Sequence, residues 1–384
     1  MFIKIGLRKN LIYPGFFILF LFLRKAAKSI LEIFVLNGEK KIKVSFLMLV
    51  VIYAVQLVFG LFKLLCFKKS DKSKKEEKVG GLVLIQNNNK DLEKPDGDFK
   101  IFILIFFSAY FENIGAITRR YLTQDLREDR YDEYHAKFRS IEICFASIIC
   151  LLSFNIKIFK HQALSLVIII ICLIIVLIID IFKEEEKNNI IKNIGNVMYS
   201  SFCRVYLDTI EKYLFDYDFI DIFEIMAYEG IINCGLISLF YISDKPRQEI
   251  RKLFKLDRFE IILSFVIIFI YSIFTWFKNI YRRFTIKYYY PTTRALAESV
   301  LDPVLIIYDF WSGNYKDLFS FIVTISCTII MLICSCIYNE IFILYCFGLE
   351  YDTHYEIDHR SKFYELPSIH GRITDDFDEN ENDN

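Results

Sequence analysis

The stretch Phe277–Pro303, FKNIYRRFTIKYYYPTTRALAESVLDP, closes one apolar segment and opens another. After a basic cluster the chain turns before Pro291 and resumes with Arg294, Glu298 and Asp302. Pro291 suits the first turn of a helix, where its missing N–H leaves no hydrogen bond unmade. The three charged residues recur at every fourth position, so they share one helix face and can pair along it. Because charges are costly against lipid, we expect this face to point at protein or at water.

Apolar segments of this kind recur along the chain. Its 384 residues are 54% hydrophobic and 17% aromatic, and the mean hydropathy is +0.35, which is typical of a membrane protein rather than a soluble domain. A spanning helix needs about 20 mostly apolar residues. Six windows qualify: Val44–Cys66, Phe99–Thr118, Ile141–Phe159, Ala163–Phe182, Phe259–Phe277 and Leu318–Leu344. Four shorter or more polar windows are weaker candidates: Ile12–Ile30, Ile190–Phe215, Phe223–Ile242 and Thr293–Phe310. We therefore predict an all-α, polytopic membrane protein with about ten transmembrane helices.

The polar segments divide the chain into four parts. Residues 1–98 hold the first two helices and a polar cytosolic loop, Lys68–Asp98, which is charge-dense and marked by glycines. Residues 99–182 hold helices three to five, and residues 190–349 hold helices six to ten. Residues 350–384 form an acidic tail that we expect to be disordered.

The placement of basic residues predicts orientation. The N-terminus, the loop at Lys68–Lys78 and the segment Asn155–His161 are basic and fall on one side, which is cytosolic by the positive-inside rule. Two Lys/Arg-rich segments, residues 24–43 and 119–139, would face the other side and argue against this assignment. No small-residue cleavage site follows the first basic residues, so we expect an uncleaved anchor. The predicted location is an endomembrane (Golgi, ER, endosome or vacuole-like), with multi-pass insertion and cytosolic termini.

Cysteine usage offers no sign of a metal or cofactor. The ten cysteines lie almost all within or at the ends of apolar runs and lack metal-ligand spacing. We expect them to be small buried residues, and we expect no cofactor.

An internal repeat links the opening stretch to an earlier one. Counted along the chain, the third of the ten windows ends in YFENIGAITRRYL and the eighth ends in WFKNIYRRFTIKYY. Both read aromatic, Phe, charge, Asn-Ile, then Arg-Arg. Each is followed by a helix opened by an arginine, Arg139 with Glu142 in the first case and Arg294 with Glu298 in the second. A duplication of five helices accounts for this order, and inverted repeats place a binding site where the halves meet.

The repeat nominates candidate site residues. The substrate-binding candidates from the repeat are Arg294, Glu298, Arg139, Glu142, Asn113 and Asn279. Glu112 and Lys278 precede the two asparagines, carry opposite charges and lie near the ends of their helices, so we predict a gate between them. A structural ion ladder that only locks two helices together is the alternative reading of the charged face.

Four stretches resemble the drug/metabolite transporter superfamily, in its solute carrier family 35 and EamA-like branches. The family's junction of its eighth and ninth helices is similar to RRFTIKYYYPTTRALAESVLDPVLIIY in this chain. Its junction of the sixth and seventh helices is similar to EKYLFDYDFIDIFEIMAYEGIINCGL, with Glu229-Gly230. The family's fourth and fifth helices resemble KFRSIEICFASIICLLSFNIKIFKHQALSLVIIIICLIIVL in this chain. Its tenth helix resembles MLICSCIYNEIFIL, with Tyr338-Asn339. The resemblance covers roughly Phe99–Leu349.

This resemblance implies two inverted five-helix repeats that move a small organic solute, such as a nucleotide-sugar, a nucleotide or a similar metabolite, by alternating access. Glu229 joins the substrate-binding candidates. An anionic solute would suit Arg139, Arg294 and Lys278, because arginine clasps oxyanions bidentately. A cationic or proton-coupled solute would suit the acidic candidates instead, so the charge of the solute stays open.

Two other functional classes are weighed against transport. One is a non-transporting membrane scaffold or trafficking protein on a transporter-like fold. The other is a membrane-embedded lipid-modifying enzyme, which is disfavoured because no short catalytic motif of His, Asp or Glu is visible. We therefore predict that the chain is not an enzyme. The expected partners are a small-molecule solute and the lipid bilayer, with no nucleic acid, and a homodimer is left open.

Overall fold

The computed structural model describes residues 2–5, 12–36, 45–67, 97–125, 134–154, 158–183, 187–240, 258–311 and 317–345. The first half of the chain forms β1 (Phe2–Ile5), α1 (Ile12–Leu36), α2 (Ser45–Phe67), α3 (Gly97–Asp125), α4 (Ile141–Phe154) and α5 (Lys160–Lys183). The second half forms α6 (Lys187–Asp216), α7 (Ile222–Phe240), α8 (Arg258–Tyr288), α9 (Pro291–Ser299), α10 (Asp302–Trp311), α11 (Leu318–Tyr338) and β2 (Phe342–Tyr345). A further helical turn at residues 134–138 precedes α4.

The prediction of an all-α chain is confirmed for these residues apart from the two four-residue strands, and the apolar windows fall largely on helices. Two details differ. The window Thr293–Phe310 is not one helix, because α9 ends at Ser299 and α10 begins at Asp302. The last window ends its helix at Tyr338 and continues into β2, which pairs antiparallel with β1. The predicted acidic tail lies outside the described residues, as does the predicted loop Lys68–Asp98 except for the two residues that begin α3.

Among the residues that the structure describes, three helices are long and apolar enough to cross a membrane, namely Lys160–Phe182, Ile261–Tyr288 and Leu318–Tyr338. Two shorter apolar helices span Val50–Phe62 and Ile141–Phe154. The outward faces of these helices are apolar: on α5 alone, exposed bulky side chains are Leu164, Val167, Ile170, Ile171, Ile174 and Ile178. Such a surface is costly in water and normal against lipid. These properties are compatible with a membrane protein.

Three clusters of buried apolar side chains are found in the part of the chain that the structure describes. The largest joins α4, α5 and α11 around Ile143, Ile169 and Met331. The others join α2, α7 and α8 around Ile268, and α3, α6, α7 and α8 around Ile225. Of the eight cysteines whose side chains are described, six are buried, and all eight are free thiols.

Several contacts between helices of the first half and helices of the second half come in matched pairs. The helix α1 packs on α8 while α3 packs on α6, α2 packs on α8 while α3 packs on α7, and α1 packs on α9 while α4 packs on α6. Three further contacts join α2 with α7, α4 with α9 and α5 with α11. In the α2–α7 contact, Gly60 lies against Ala227 and Gly230 lies against Leu57, and a Cβ on either glycine would come within 3.0 Å of the facing backbone. The two helices therefore cross at backbone distance.

Candidate functional site

A network of buried charges lies where α4, α6, α7, α8, α9 and α10 meet. We call it the charged network, and it consists of Arg139, Glu142, Arg204, Asp208, Glu211, Glu229, Arg282, Arg283, Arg294, Glu298 and Asp302. The most exposed side chain among them, that of Arg204, is only 15% exposed. Ions taken this far out of water are tolerated only when they are paired, so the pairing pattern decides what the network can do.

Arg294 is the centre of this pattern. Its guanidinium is fully buried and contacts three carboxylates: Glu142 at 2.6 Å, Glu298 at 3.2 Å and Asp208. Arg294 is placed by the start of α9, where Pro291 occupies the first turn as predicted. Arg294 therefore connects α9 with both α4 and α6.

The start of α9 is fixed from the opposite side. The Thr292 and Thr293 hydroxyls both donate to the Asn339 side-chain oxygen, at 3.1 and 3.0 Å. Asn339 follows the end of α11, so two of the stretches that carry the family resemblance contact each other. This contact sets where Arg294 enters the bundle.

Two more arginines tie α4 to the second half of the chain. Arg204 on α6 bridges Glu142 at 3.3 Å and Glu298 at 2.5 Å. Arg139, just before α4, binds Asp302 at 2.9 Å. The predicted pairing along one helix face is therefore found for Arg294 with Glu298, whereas Asp302 pairs across the bundle instead.

The reason is the break between α9 and α10. Pro303 has no N–H and its ring clashes with the carbonyl four residues earlier, so a continuous helix through it is disfavoured. At the break, the Glu298 carbonyl accepts from Leu301 N at 3.4 Å and from Arg139 Nη1 at 3.0 Å. The break thus leaves a main-chain acceptor available to a side chain from a distant part of the chain inside the bundle.

A second group of pairs continues the network toward α3 and α7. Arg282 binds Asp208 at 2.8 Å and Glu211 at 2.5 Å. Arg283 binds Glu211 at 3.0 Å and also contacts Glu229. Ser108 on α3 donates to the other oxygen of Glu229 at 2.5 Å.

Every carboxylate of the charged network thus faces an arginine. Among the residues that the structure describes, no group of three or more His, Cys, Asp or Glu side chains is arranged to hold a metal ion.

The remaining candidates from the sequence lie beside the network. Asn113 donates to the Ala109 carbonyl at 3.1 Å and to the Asn233 side chain, and Asn233 donates to Glu112 at 3.0 Å. Asn279 is buried, and its side chain makes no hydrogen bond with a described residue. Glu112 and Lys278 form no ion pair with each other here, so a gate that closes in another conformation stays a prediction.

Sequence reasoning missed about half of the network. Arg204, Asp208 and Glu211 recur at intervals of four and three, which places them on one face of α6. The same criterion that singled out Arg294 and Glu298 would have found them. Arg282 and Arg283 were predicted only as markers of the repeat, although they contribute much of the pairing.

Comparisons with known proteins add no family. A scan against protein-family models finds no match, and a search of the curated proteins finds no similar sequence. The resemblance to the drug/metabolite transporter superfamily therefore stays a prediction, and the function has to be argued from the geometry of the bundle.

Proposed function

We propose that the chain is a polytopic membrane protein of ten spans, in two inverted five-helix halves, that transports a small organic solute by alternating access. The first half would comprise α1 to α5, and the second would comprise α6 to α11, with α9 and α10 as the two parts of one broken span. The location we propose is an endomembrane, with both termini in the cytosol.

The observation that carries this proposal is the reciprocity of the helix contacts. When each helix of the first half is matched with the helix five spans later, the contact of α1 with α8 becomes that of α6 with α3. In the same way, α1 with α9 becomes α6 with α4, and α2 with α8 becomes α7 with α3. The contacts of α2 with α7, α4 with α9 and α5 with α11 map onto themselves. A two-fold relation between the halves predicts these correspondences, although the contacts of α6 with α8 and of α8 with α9 have no counterpart of similar extent among the described residues of the first half.

Side chains at the contact between the halves support the same relation. Gly60 faces Ala227 while Gly230 faces Leu57, and the spacing of three residues is the same on both helices. Arg294 of the second half binds Glu142 of the first, and Arg139 of the first half binds Asp302 of the second. Pairing of β1 with β2 supports an even number of spans, because it brings the two ends of the bundle to the same side.

The charged network occupies the place that a solute site takes in such a design, at the contact between halves and next to a broken helix. We propose that Arg139, Glu142, Arg294 and Glu298 position the solute or rearrange with it. Charged side chains inside a membrane are costly. Those in the interior of a helix bundle are usually retained because they line a solute or ion pathway.

Uptake by proteoliposomes tests this function. The purified chain would be reconstituted and offered labelled nucleotides, sugars, phosphorylated metabolites, amino acids and amines. We expect saturable uptake of one class, reduced strongly by Glu298→Gln. Asp317→Asn is the matched control, because it makes the same chemical change at the exposed N-cap of α11, where asparagine also caps. Equal uptake by Glu298→Gln and the control would remove Glu298 from the solute site.

A membrane scaffold without transport is the second candidate, and the full ion pairing of Arg294 favours it. In that case the network would be a structural ladder. Correctly inserted protein that takes up nothing from the panel would favour the scaffold and contradict transport.

A further inference from the structure

Two cations stand apart from the pairing just described. Arg24 on α1 and Lys278 on α8 are both half-buried, and neither forms a hydrogen bond or an ion pair with a residue that the structure describes. The Arg24 Nε atom is inaccessible to solvent and has no hydrogen-bond acceptor among the described residues. By contrast, Arg282 and Arg294 each contact two or three carboxylates.

Aromatic stacking fixes how the two helices face each other. Tyr13 stacks on Phe284 with ring centroids 5.0 Å apart, Phe16 on Tyr281 at 5.1 Å, and Phe20 on Phe277 at 4.8 Å. The pairs run in opposite directions along the chain, so α1 and α8 are antiparallel. Arg24 lies one helical turn beyond Phe20, and Lys278 directly follows Phe277.

The two cations therefore act on each other. Among the neighbouring charges, Arg24, Arg282 and Arg204 repel the Lys278 amine, whereas Glu298 attracts it. The helix α1 also packs on α9, which carries Glu298. Arg24 and Lys278 thus lie between α1, α8 and α9.

The carboxylates nearest to these two cations already have arginine partners. Glu298 is already bound by Arg204 and Arg294, and Asp302 is bound by Arg139. The charged network is consequently polarised, since its α1 side carries surplus positive charge. Its α3 and α7 side is rich in acids, with Glu112, Glu211 and Glu229.

We propose that an oxyanion, the phosphate or carboxylate group of its ligand, binds between α1, α8 and α9 and is held by Arg24 and Lys278. Two neighbouring cations withdrawn from water repel each other, and a bound anion reverses the sign of that interaction. A guanidinium and an ammonium together suit such a group, because the guanidinium donates a bidentate pair and the ammonium supplies a compact charge.

This assignment decides between the two solute classes left open by the sequence. Arg139 and Arg294, which the sequence nominated for an anion, are occupied by carboxylates of the protein itself, whereas Arg24 was not nominated at all. The identity of the anion as a transported solute rests on the transport function proposed above, but its binding does not.

Thermal unfolding of the purified full chain, followed by tryptophan fluorescence, tests the site. We expect glucose 6-phosphate or succinate to raise the unfolding midpoint of the wild-type protein, and glucose to leave it unchanged. Arg24→Gln and Lys278→Gln should each weaken the binding by about tenfold or more. Arg258→Gln, which removes an exposed cation at the start of α8, is the matched control and should bind as the wild type does.

The unliganded proteins supply a second readout. Because each substitution removes one of two like charges, Arg24→Gln and Lys278→Gln should unfold at the same temperature as the wild type or higher. Lower midpoints for both would overturn the proposal, since they would mean that the cations have partners within the protein. Lys278→Arg keeps the charge and should keep the binding.

The lipid composition of the membrane distinguishes a lipid headgroup from a soluble anion as the ligand of this site. If a lipid headgroup fills the site, soluble anions have no effect, and nanodiscs containing phosphatidylglycerol stabilise the wild type over those of phosphatidylcholine alone, but not the two Gln variants. If neither kind of anion stabilises the wild type, the site does not exist. Uptake of a neutral solute without any anion binding would overturn the anion site but agree with transport. Anion binding without uptake would support the anion site but contradict transport.

Discussion

Replacing Arg294 by methionine should destabilise the protein more than any loss of an exposed charge. Three buried carboxylates lose a cation at once, those of Glu142, Asp208 and Glu298. Breaking a buried ion pair from one side costs about 3–5 kcal/mol, because the remaining charge is left uncompensated. Here Glu142 and Glu298 keep Arg204, and Asp208 keeps Arg282, so we expect the lower end, about 3 kcal/mol.

The assay is unfolding in mixed micelles with increasing SDS, followed by far-UV circular dichroism. Arg258→Met is the control and should match the wild type, since Arg258 is exposed. A double-mutant cycle with Glu298→Gln should give a coupling energy of about 0.5–3 kcal/mol, because the two residues share one ion pair. A loss below about 1 kcal/mol for Arg294→Met, comparable to that of a surface pair, would refute the reasoning that these charges hold α4, α6 and α9 together.

Three further predictions concern other parts of the fold. Gly230→Ala should destabilise the chain by about 1–3 kcal/mol, because the new Cβ would lie 2.9 Å from the Leu57 Cα, whereas Gly235→Ala meets nothing within 4 Å and should be neutral or stabilising; equal effects on unfolding would argue against the close α2–α7 crossing. Ser108→Ala should cost about 1.5–3 kcal/mol in the same assay through its hydrogen bond to Glu229, while Ser238→Ala, at an exposed hydroxyl, should change little. Single cysteines at Lys74 and Asn380, in a background without other cysteines, should react with an impermeant thiol reagent from the same side of the membrane, and labelling from opposite sides would rule out ten spans.

Helix positions were predictable because their signals are local. An apolar run of sufficient length, or Pro291 before a charged face, reports on the few residues around it, and the apolar windows accordingly fall largely on helices. The break at Pro303 was missed, because the window Thr293–Phe310 was predicted as one helix. Its consequence for Asp302 depends on where Arg139 lies, 163 residues earlier in the chain.

Partner choice is what the sequence could not provide. The arginines of the network each had several acids available, and packing of α6 against α4 and α8 decides which of them come within reach. The same holds for Arg24, whose lack of a partner becomes visible only when every neighbouring carboxylate has been assigned. Non-local pairing of this kind leaves no periodic trace along the chain.

The pairing of β1 with β2 has a mechanical consequence. One strand precedes the first helix of one half and the other follows the last helix of the second, so their hydrogen bonds join the halves at a single face of the bundle. If the halves rock as proposed, separating them on that face must break this short ladder, at about 0.5–1.5 kcal/mol for each hydrogen bond. Separation on the opposite face leaves it intact. The strands would then act as a latch, biasing the resting protein toward the conformation that is shut on the side of its own termini.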